Sequence, residues 1–161
     1  MKYTNLRRHI KSGDVLAWTH RSWRTWYDIK VQLIRLFTLS EYSHVGIAVV
    51  MGGRVWVLEA VTPKVRLVPL SNLLPCYHVT GKGMSPEQVE VGLAWIGRED
   101  VEYSQLEAAK TLFGLNARDN DQIQCAELVN IVLGNPCKDT PSAVVDYFLG
   151  RGSVLTEVSK V

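Results

Sequence analysis

Alternating and continuous hydrophobic positions in the first half of the chain predict short β-strands. Asp14 to Thr19 reads DVLAWT, and two longer apolar runs follow at His44 to Met51, HVGIAVVM, and Arg54 to Val61, RVWVLEAV. Only Gly52 and Gly53 separate the two longer runs, and a tight two-residue turn requires the positive φ angles that glycine adopts easily. The pattern therefore predicts a strand followed by a β-hairpin.

The remaining pattern is extended at first and then becomes helical. KVRLVPL (Lys64 to Leu70) alternates polar and apolar residues, and CYHVT (Cys76 to Thr80) is another short extended piece. Helices are predicted over Ser22 to Thr38, Ser85 to about Ile96, Ser104 to Phe113, Cys125 to Gly134 and Thr140 to Gly150. Strands followed by helices predict an α+β fold, an antiparallel sheet with helices mostly on one side.

Composition predicts one compact domain over residues 1–161. The 161 residues are 47% hydrophobic and 21% charged, which suffices for a proper core. The three cysteines form no close pair, so neither a disulfide framework nor a zinc site is expected, and no metal or cofactor is predicted. The polar N-terminus has no secretory apolar region, and no apolar run approaches the roughly 20 residues of a membrane span. The expected location is cytoplasmic.

Positive charge is concentrated at the start of the chain. Residues 1–40 contain eight Lys and Arg against two Asp, whereas residues 41–161 contain ten basic and fourteen acidic side chains. The basic segment 20–38 also carries Trp23 and Trp26, a mixture typical of surfaces that meet anionic lipid. The same spacing describes an amphipathic helix packed on a core. Both interpretations stay open, and no nucleic-acid partner is expected because no reader motif accompanies the charge.

Cys125 is the candidate nucleophile. It begins the helical stretch QCAELVNIVLG, and we expect Asn120 and Asp121 to cap this helix. A thiol in the first turn of a helix lies where the helix dipole stabilises an anion, and its pKa falls accordingly. The alternative is a buried cysteine that only packs.

The hairpin places His44 near Glu59. If Gly52 and Gly53 form the turn, paired residue numbers sum to 105, so Gly46 lies opposite Glu59. Side chains two residues apart share a face, and His44 and Glu59 become diagonal neighbours on adjacent strands. A carboxylate beside an imidazole orients it and stabilises its protonated form. A nucleophile, a base and an orienting group are the parts of thiol catalysis.

Six segments in this order resemble the circularly permuted NlpC/P60-like, papain-fold enzymes, the YiiX/YaeF-like group. They are SGDVLAW, SHVGIAVV, VLEAV, VEYSQLEAA, QCAELV and DTPSAVVDYF, and they span most of the chain. In the unpermuted family the cysteine helix precedes the histidine strand. Here it follows, an order shared with lecithin:retinol acyltransferase-like proteins.

The resemblance implies a papain-like fold and a cysteine-dependent hydrolase, an amidase or peptidase acting through a thioester. It implies that Cys125 is the nucleophile, His44 the base and acid, and Glu59 the residue that orients His44. Tyr103 resembles a family tyrosine near the thiol that helps bind the oxyanion or the substrate. The implied substrates are peptides, amides or acyl groups. One alternative is a lipid-linked acyltransferase, or a thioesterase or lipase, of the lecithin:retinol acyltransferase-like type. The other is a catalytically inactive binding module.

Overall fold

A computed structural model describes residues 1–19, 41–61, 64–97 and 124–160. In this part of the chain the strands form one antiparallel sheet of six, in the order β4-β3-β2-β1-β5-β6. The strands are β1 (Val15–Trp18), β2 (His44–Met51), β3 (Arg54–Val61), β4 (Lys64–Pro69), β5 (Cys76–Val79) and β6 (Leu155–Val158). The helices are α1 (Tyr3–Leu6), α2 (Pro86–Ala94), α3 (Cys125–Leu133) and α4 (Pro141–Leu149), with a 3₁₀ turn at Leu70–Asn72.

The predicted hairpin is confirmed, and its register is the one expected from the turn. Met51 pairs with Arg54 and Ile47 with Leu58, so the paired numbers sum to 105. Gly52 has a φ of 57° and Gly53 a φ of 70°. Both angles lie in the left-handed region, where a residue with a Cβ is strained.

Two hydrophobic clusters cover the two faces of the sheet. On one face, the longer helices pack on the sheet. The buried residues of this cluster include Ile47 and Leu58 from the strands, and Leu128, Val129, Val132, Val144 and Phe148 from the helices. On the other face, α1 and the 3₁₀ turn contribute to a cluster that includes Leu6, Leu16, Val55, Val57, Leu70 and Leu74. The α+β prediction is confirmed, and among the described helices the three longer ones lie on one side of the sheet.

Helix ends follow the expected capping chemistry at α2 and α4. The Ser85 side chain accepts from the backbone N–H of Gln88, which completes the predicted capping box, and Thr140 caps α4. The prediction that Asn120 and Asp121 cap α3 is wrong. The N-cap of this helix is Gln124, whose backbone N–H donates to the Glu127 carboxylate at 3.2 Å.

Several expectations concern residues outside the described ranges. They are the helices over Ser22 to Thr38 and Ser104 to Phe113, the residues Asn120 and Asp121, and Tyr103. Conversely, α1 and β6 are described elements that the hydrophobic pattern did not predict. Within the described residues, no helix is both long and apolar enough to cross a membrane.

Candidate active site

The thiol and the imidazole lie where two packed elements begin. Cys125 is the first residue of α3, His44 is the first residue of β2, and α3 packs against β2. Cys125 is buried, with 6% of its surface exposed, and His44 is about a quarter exposed. The two side chains lie close enough for each to shift the pKa of the other, His44 lowering that of Cys125 and Cys125 raising that of His44. The imidazole is thus the more accessible member of the pair.

Glu59 holds the opposite nitrogen of the imidazole. The distance from His44 Nε2 to Glu59 Oε2 is 2.7 Å, and the carboxylate is only 2% exposed. The diagonal contact expected from the hairpin register is therefore present. Because Nε2 is engaged by Glu59, Nδ1 is the ring nitrogen left to meet the Cys125 thiol. Cys125, His44 and Glu59 form one continuous chain of contacts.

Charge in this chain of contacts favours an ion pair between thiol and imidazole. Burial raises the pKa of Cys125, but the hydrogen bond and charge of His44 outweigh it and hold the pKa below its ordinary value. The backbone N–H groups of Val45 and Ala126 lower it further. Burial likewise lowers the pKa of His44, but Cys125 and Glu59 outweigh it and raise the value to about 9. The arrangement therefore supports a thiolate beside an imidazolium near neutral pH.

Arg66 is a member of this cluster that sequence reasoning missed. Its Nε and Nη2 atoms lie 2.8 Å and 2.7 Å from Glu59 Oε1. Burial raises the pKa of Glu59, but His44 and Arg66 together hold it below its usual range. The signal that could have found Arg66 is the β3–β4 register, in which Glu59 and Arg66 are direct partners.

The neighbours of His44 restrict where its ring can lie. Trp18 is its cross-strand partner on β1, and the two ring centroids are 5.4 Å apart. The indole is itself held by a 2.7 Å hydrogen bond from Trp18 Nε1 to the Leu73 carbonyl. At Gly46 an added Cβ would lie 2.8 Å from a methyl group of Val57, so only glycine fits there without a shift. The imidazole itself is bounded by the Trp18 ring and by the Glu59 carboxylate.

The other cysteines and His78 lie apart from this chain of contacts. Cys76 is buried in the second cluster, where burial raises its pKa to about 12, and Cys137 is half-buried and hydrogen-bonded to Asn130. His78, to which the sequence assigned no role, contacts the buried Asp14 carboxylate at 2.7 Å. Cys125 is thus the described cysteine with a lowered pKa.

Comparison with known proteins relates the fold of this chain to a solved structure. No family model matches the chain, and no curated protein does. The chain is similar to the crystal structure of the metalloprotein YiiX from Escherichia coli O157:H7, with a TM-score of 0.52 and 26% sequence identity. Its fold is YiiX-like. The similarity covers 76% of this chain and 63% of the YiiX chain, so this chain spans less than two thirds of that protein's length.

Proposed function

We propose that this protein is a cysteine-dependent hydrolase of the permuted NlpC/P60 type, acting on an amide or related acyl bond through a thioester. The observation that carries the proposal is the continuous contact from Glu59 through His44 to Cys125. Such a contact supplies an orienting group, a base and a nucleophile in the order that thiol catalysis requires. The similarity to YiiX and the order of histidine strand before cysteine helix also support it.

The proposed reaction has two steps. The Cys125 thiolate attacks the carbonyl carbon, and the negative charge on the oxygen is stabilised by the backbone N–H of Cys125 at the start of α3. The intermediate collapses to a thioester as the C–N or C–O bond breaks, and the His44 imidazolium gives its proton to the leaving group. His44 then takes a proton from water, which attacks the thioester and releases the acid and the thiol.

Glu59 acts through His44 rather than on the substrate. Its carboxylate holds Nε2 at 2.7 Å, which keeps Nδ1 directed at the thiol and favours the imidazolium. Tyr103 remains a proposed contributor near the oxyanion or the substrate.

The proposal assigns no metal ion to this chain. YiiX is named a metalloprotein, and a metal site needs several ligand side chains arranged around one point. In the described ranges no group of three or more His, Cys, Asp or Glu residues could hold a metal ion. The described side chains therefore do not fit such a site, and neither step of the reaction uses one.

Trapping of the acyl-enzyme tests the thioester directly. The protein is mixed briefly with p-nitrophenyl acetate, quenched in acid and digested, and acetylation of each cysteine is measured by peptide mass spectrometry. We expect acetyl on Cys125 well ahead of Cys137, and loss of that preference in His44→Ala. Acetylation that favours Cys137, or equal acetylation of both cysteines, would contradict the proposal and leave the inactive binding module as the better account.

A lipid-linked acyltransferase would form the same thioester on Cys125 but would transfer the acyl group to an acceptor other than water. The feature that favours this alternative is the basic, Trp-containing segment 20–38. Co-sedimentation with anionic liposomes that weakens as salt is added would support a membrane-facing acyltransferase. Absence of binding to both anionic and neutral liposomes would favour the hydrolase.

A further inference from the structure

The buried carboxylate of Glu59 has a cationic partner on each of its oxygens. Oε2 contacts His44 Nε2 at 2.7 Å, and Oε1 contacts Arg66 through Nε at 2.8 Å and Nη2 at 2.7 Å. The Glu59 side chain is 2% exposed, whereas that of Arg66 is 45% exposed. A surface arginine thus reaches inward to a carboxylate that water hardly touches.

Strand register brings Arg66 to this position. Glu59 and Arg66 are directly paired on β3 and β4, and Val61 with Lys64 continues the same ladder. Side chains of directly opposed residues in an antiparallel pair have Cβ atoms roughly 4.5–5.5 Å apart. The backbone pairing therefore brings the two side chains within reach of each other.

Because Arg66 binds Oε1 and His44 binds Oε2, the Glu59 carboxylate is held through both of its oxygens. A carboxylate bound through one oxygen can still turn about its terminal torsion, whereas one bound through both is fixed in orientation. We infer that Arg66 is a positioning residue, which fixes the Glu59 carboxylate so that its other oxygen holds the His44 imidazole toward Cys125. This inference rests on the proposed function and adds a fourth member to its machinery.

Arg66 also affects the charge of the group that it holds. Of the described residues, His44 and Arg66 are the charged groups in contact with Glu59, and Cys125 contacts His44 in turn. Without Arg66, Glu59 takes up a proton more readily, and a protonated carboxyl no longer favours the imidazolium. The thiolate then loses its partner at a higher pH than in the native protein.

The test compares the rate at which iodoacetamide alkylates Cys125, relative to Cys137, in native protein, Arg66→Met, Arg66→Lys and Lys64→Met. Lys64 is exposed and lies two residues from Arg66 on the same strand, so it is a matched control for loss of one positive charge. We expect Arg66→Met to slow Cys125 by about tenfold at about pH 6, the size of one lost charge-assisted hydrogen bond. In Arg66→Met, the pH below which alkylation of Cys125 slows should be higher than in native protein. Arg66→Lys should recover most of the alkylation rate, and Lys64→Met should react at the native rate.

If Arg66→Met folds poorly, the same substitution can be tested in a protein that already carries Glu59→Gln. In Glu59→Gln the buried group is neutral, so Arg66 can be removed without leaving an unpaired charge. If Arg66 acts through Glu59, adding Arg66→Met to Glu59→Gln changes the Cys125 rate by less than about twofold. A native-like rate in Arg66→Met, or an equal loss in both backgrounds, would overturn the inference.

Failure of the proposed function gives a different result from failure of this inference. If native Cys125 reacts no faster than Cys137, or His44→Ala reacts like native protein, the Cys–His pair itself is refuted and the inference falls with it. If His44→Ala is slow while Arg66→Met is native-like, the role of Arg66 alone is refuted.

Discussion

Replacing His44 with alanine removes the group that offsets burial at the Cys125 thiol. In the native protein burial raises the pKa of Cys125, and the hydrogen bond and charge of His44 reverse that effect. Glu59 keeps its contacts with Arg66 in this variant, so the buried carboxylate is not left without a partner. The variant therefore isolates what His44 does for the thiol.

A second buried cysteine of the same chain shows what burial does alone. Cys76 is 2% exposed and Cys125 is 6% exposed, and burial raises the pKa of Cys76 to about 12. At pH 7 an ordinary thiol is about 3% thiolate, whereas a pKa near 12 leaves on the order of 10⁻⁵. The pKa of native Cys125 lies below that of an ordinary thiol. In the variant we expect the pKa to lie above it, because burial is no longer offset by His44. We expect the variant to react at least about tenfold more slowly at pH 7.

The assay is the rate of iodoacetamide alkylation at Cys125, followed by peptide mass spectrometry with Cys137 as the internal reference. His9→Ala is the control, because His9 is exposed. Circular dichroism establishes that both variants are folded. A rate in His44→Ala within about twofold of the native rate would refute the reasoning, since it would mean that the thiol owes its reactivity to some other group.

Three further predictions concern groups that support the site and the sheet. Burial raises the pKa of Glu59 but its cationic partners lower it below 4.5, so its stabilisation is present above that pH and is lost as the pH falls through the folded-state value. As the pH falls from about 5 to about 3, the free energy of unfolding in urea should therefore decrease more for native protein than for Glu59→Gln, and equal decreases would contradict this. Gly46→Ala places a Cβ 2.8 Å from a Val57 methyl group, and we expect about 1–3 kcal/mol of destabilisation in urea unfolding, a neutral result being contradictory. Asp14→Ala leaves His78 and two backbone N–H groups without their acceptor. We expect a loss of about 3 kcal/mol or more, which a thermal shift of only a degree or two would contradict.

Local signals predicted the part of the site that lies within one hairpin. The Gly52-Gly53 turn determines which residues of β2 face which residues of β3, so the contact of His44 with Glu59 follows from the sequence alone. Helix ends with strong capping residues, such as Ser85, were equally accessible. In each case the deciding residues are close together in the chain.

The contacts that were missed lack a signal as clear as the Gly-Gly turn or a preferred capping residue. The contact of His78 with Asp14 depends on β1 pairing with β5, and no short motif announces that pairing. Arg66 required the register of β3 with β4, which lacks the Gly-Gly turn that made the first hairpin readable. Gln124 caps α3 although glutamine is not among the preferred capping residues. Strand β6 has only one buried residue, Val158, so no apolar run marks it in the sequence.

The measurement that tests the central claim most directly is the pH profile of alkylation at all three cysteines of the native protein. If Cys125 forms an ion pair with His44, it reacts well below pH 8 and ahead of Cys137, although Cys137 is the more exposed of the two. If Cys125 instead begins to react only above about pH 8.5, together with or after Cys137, the thiol is not activated and the proposed hydrolase is contradicted.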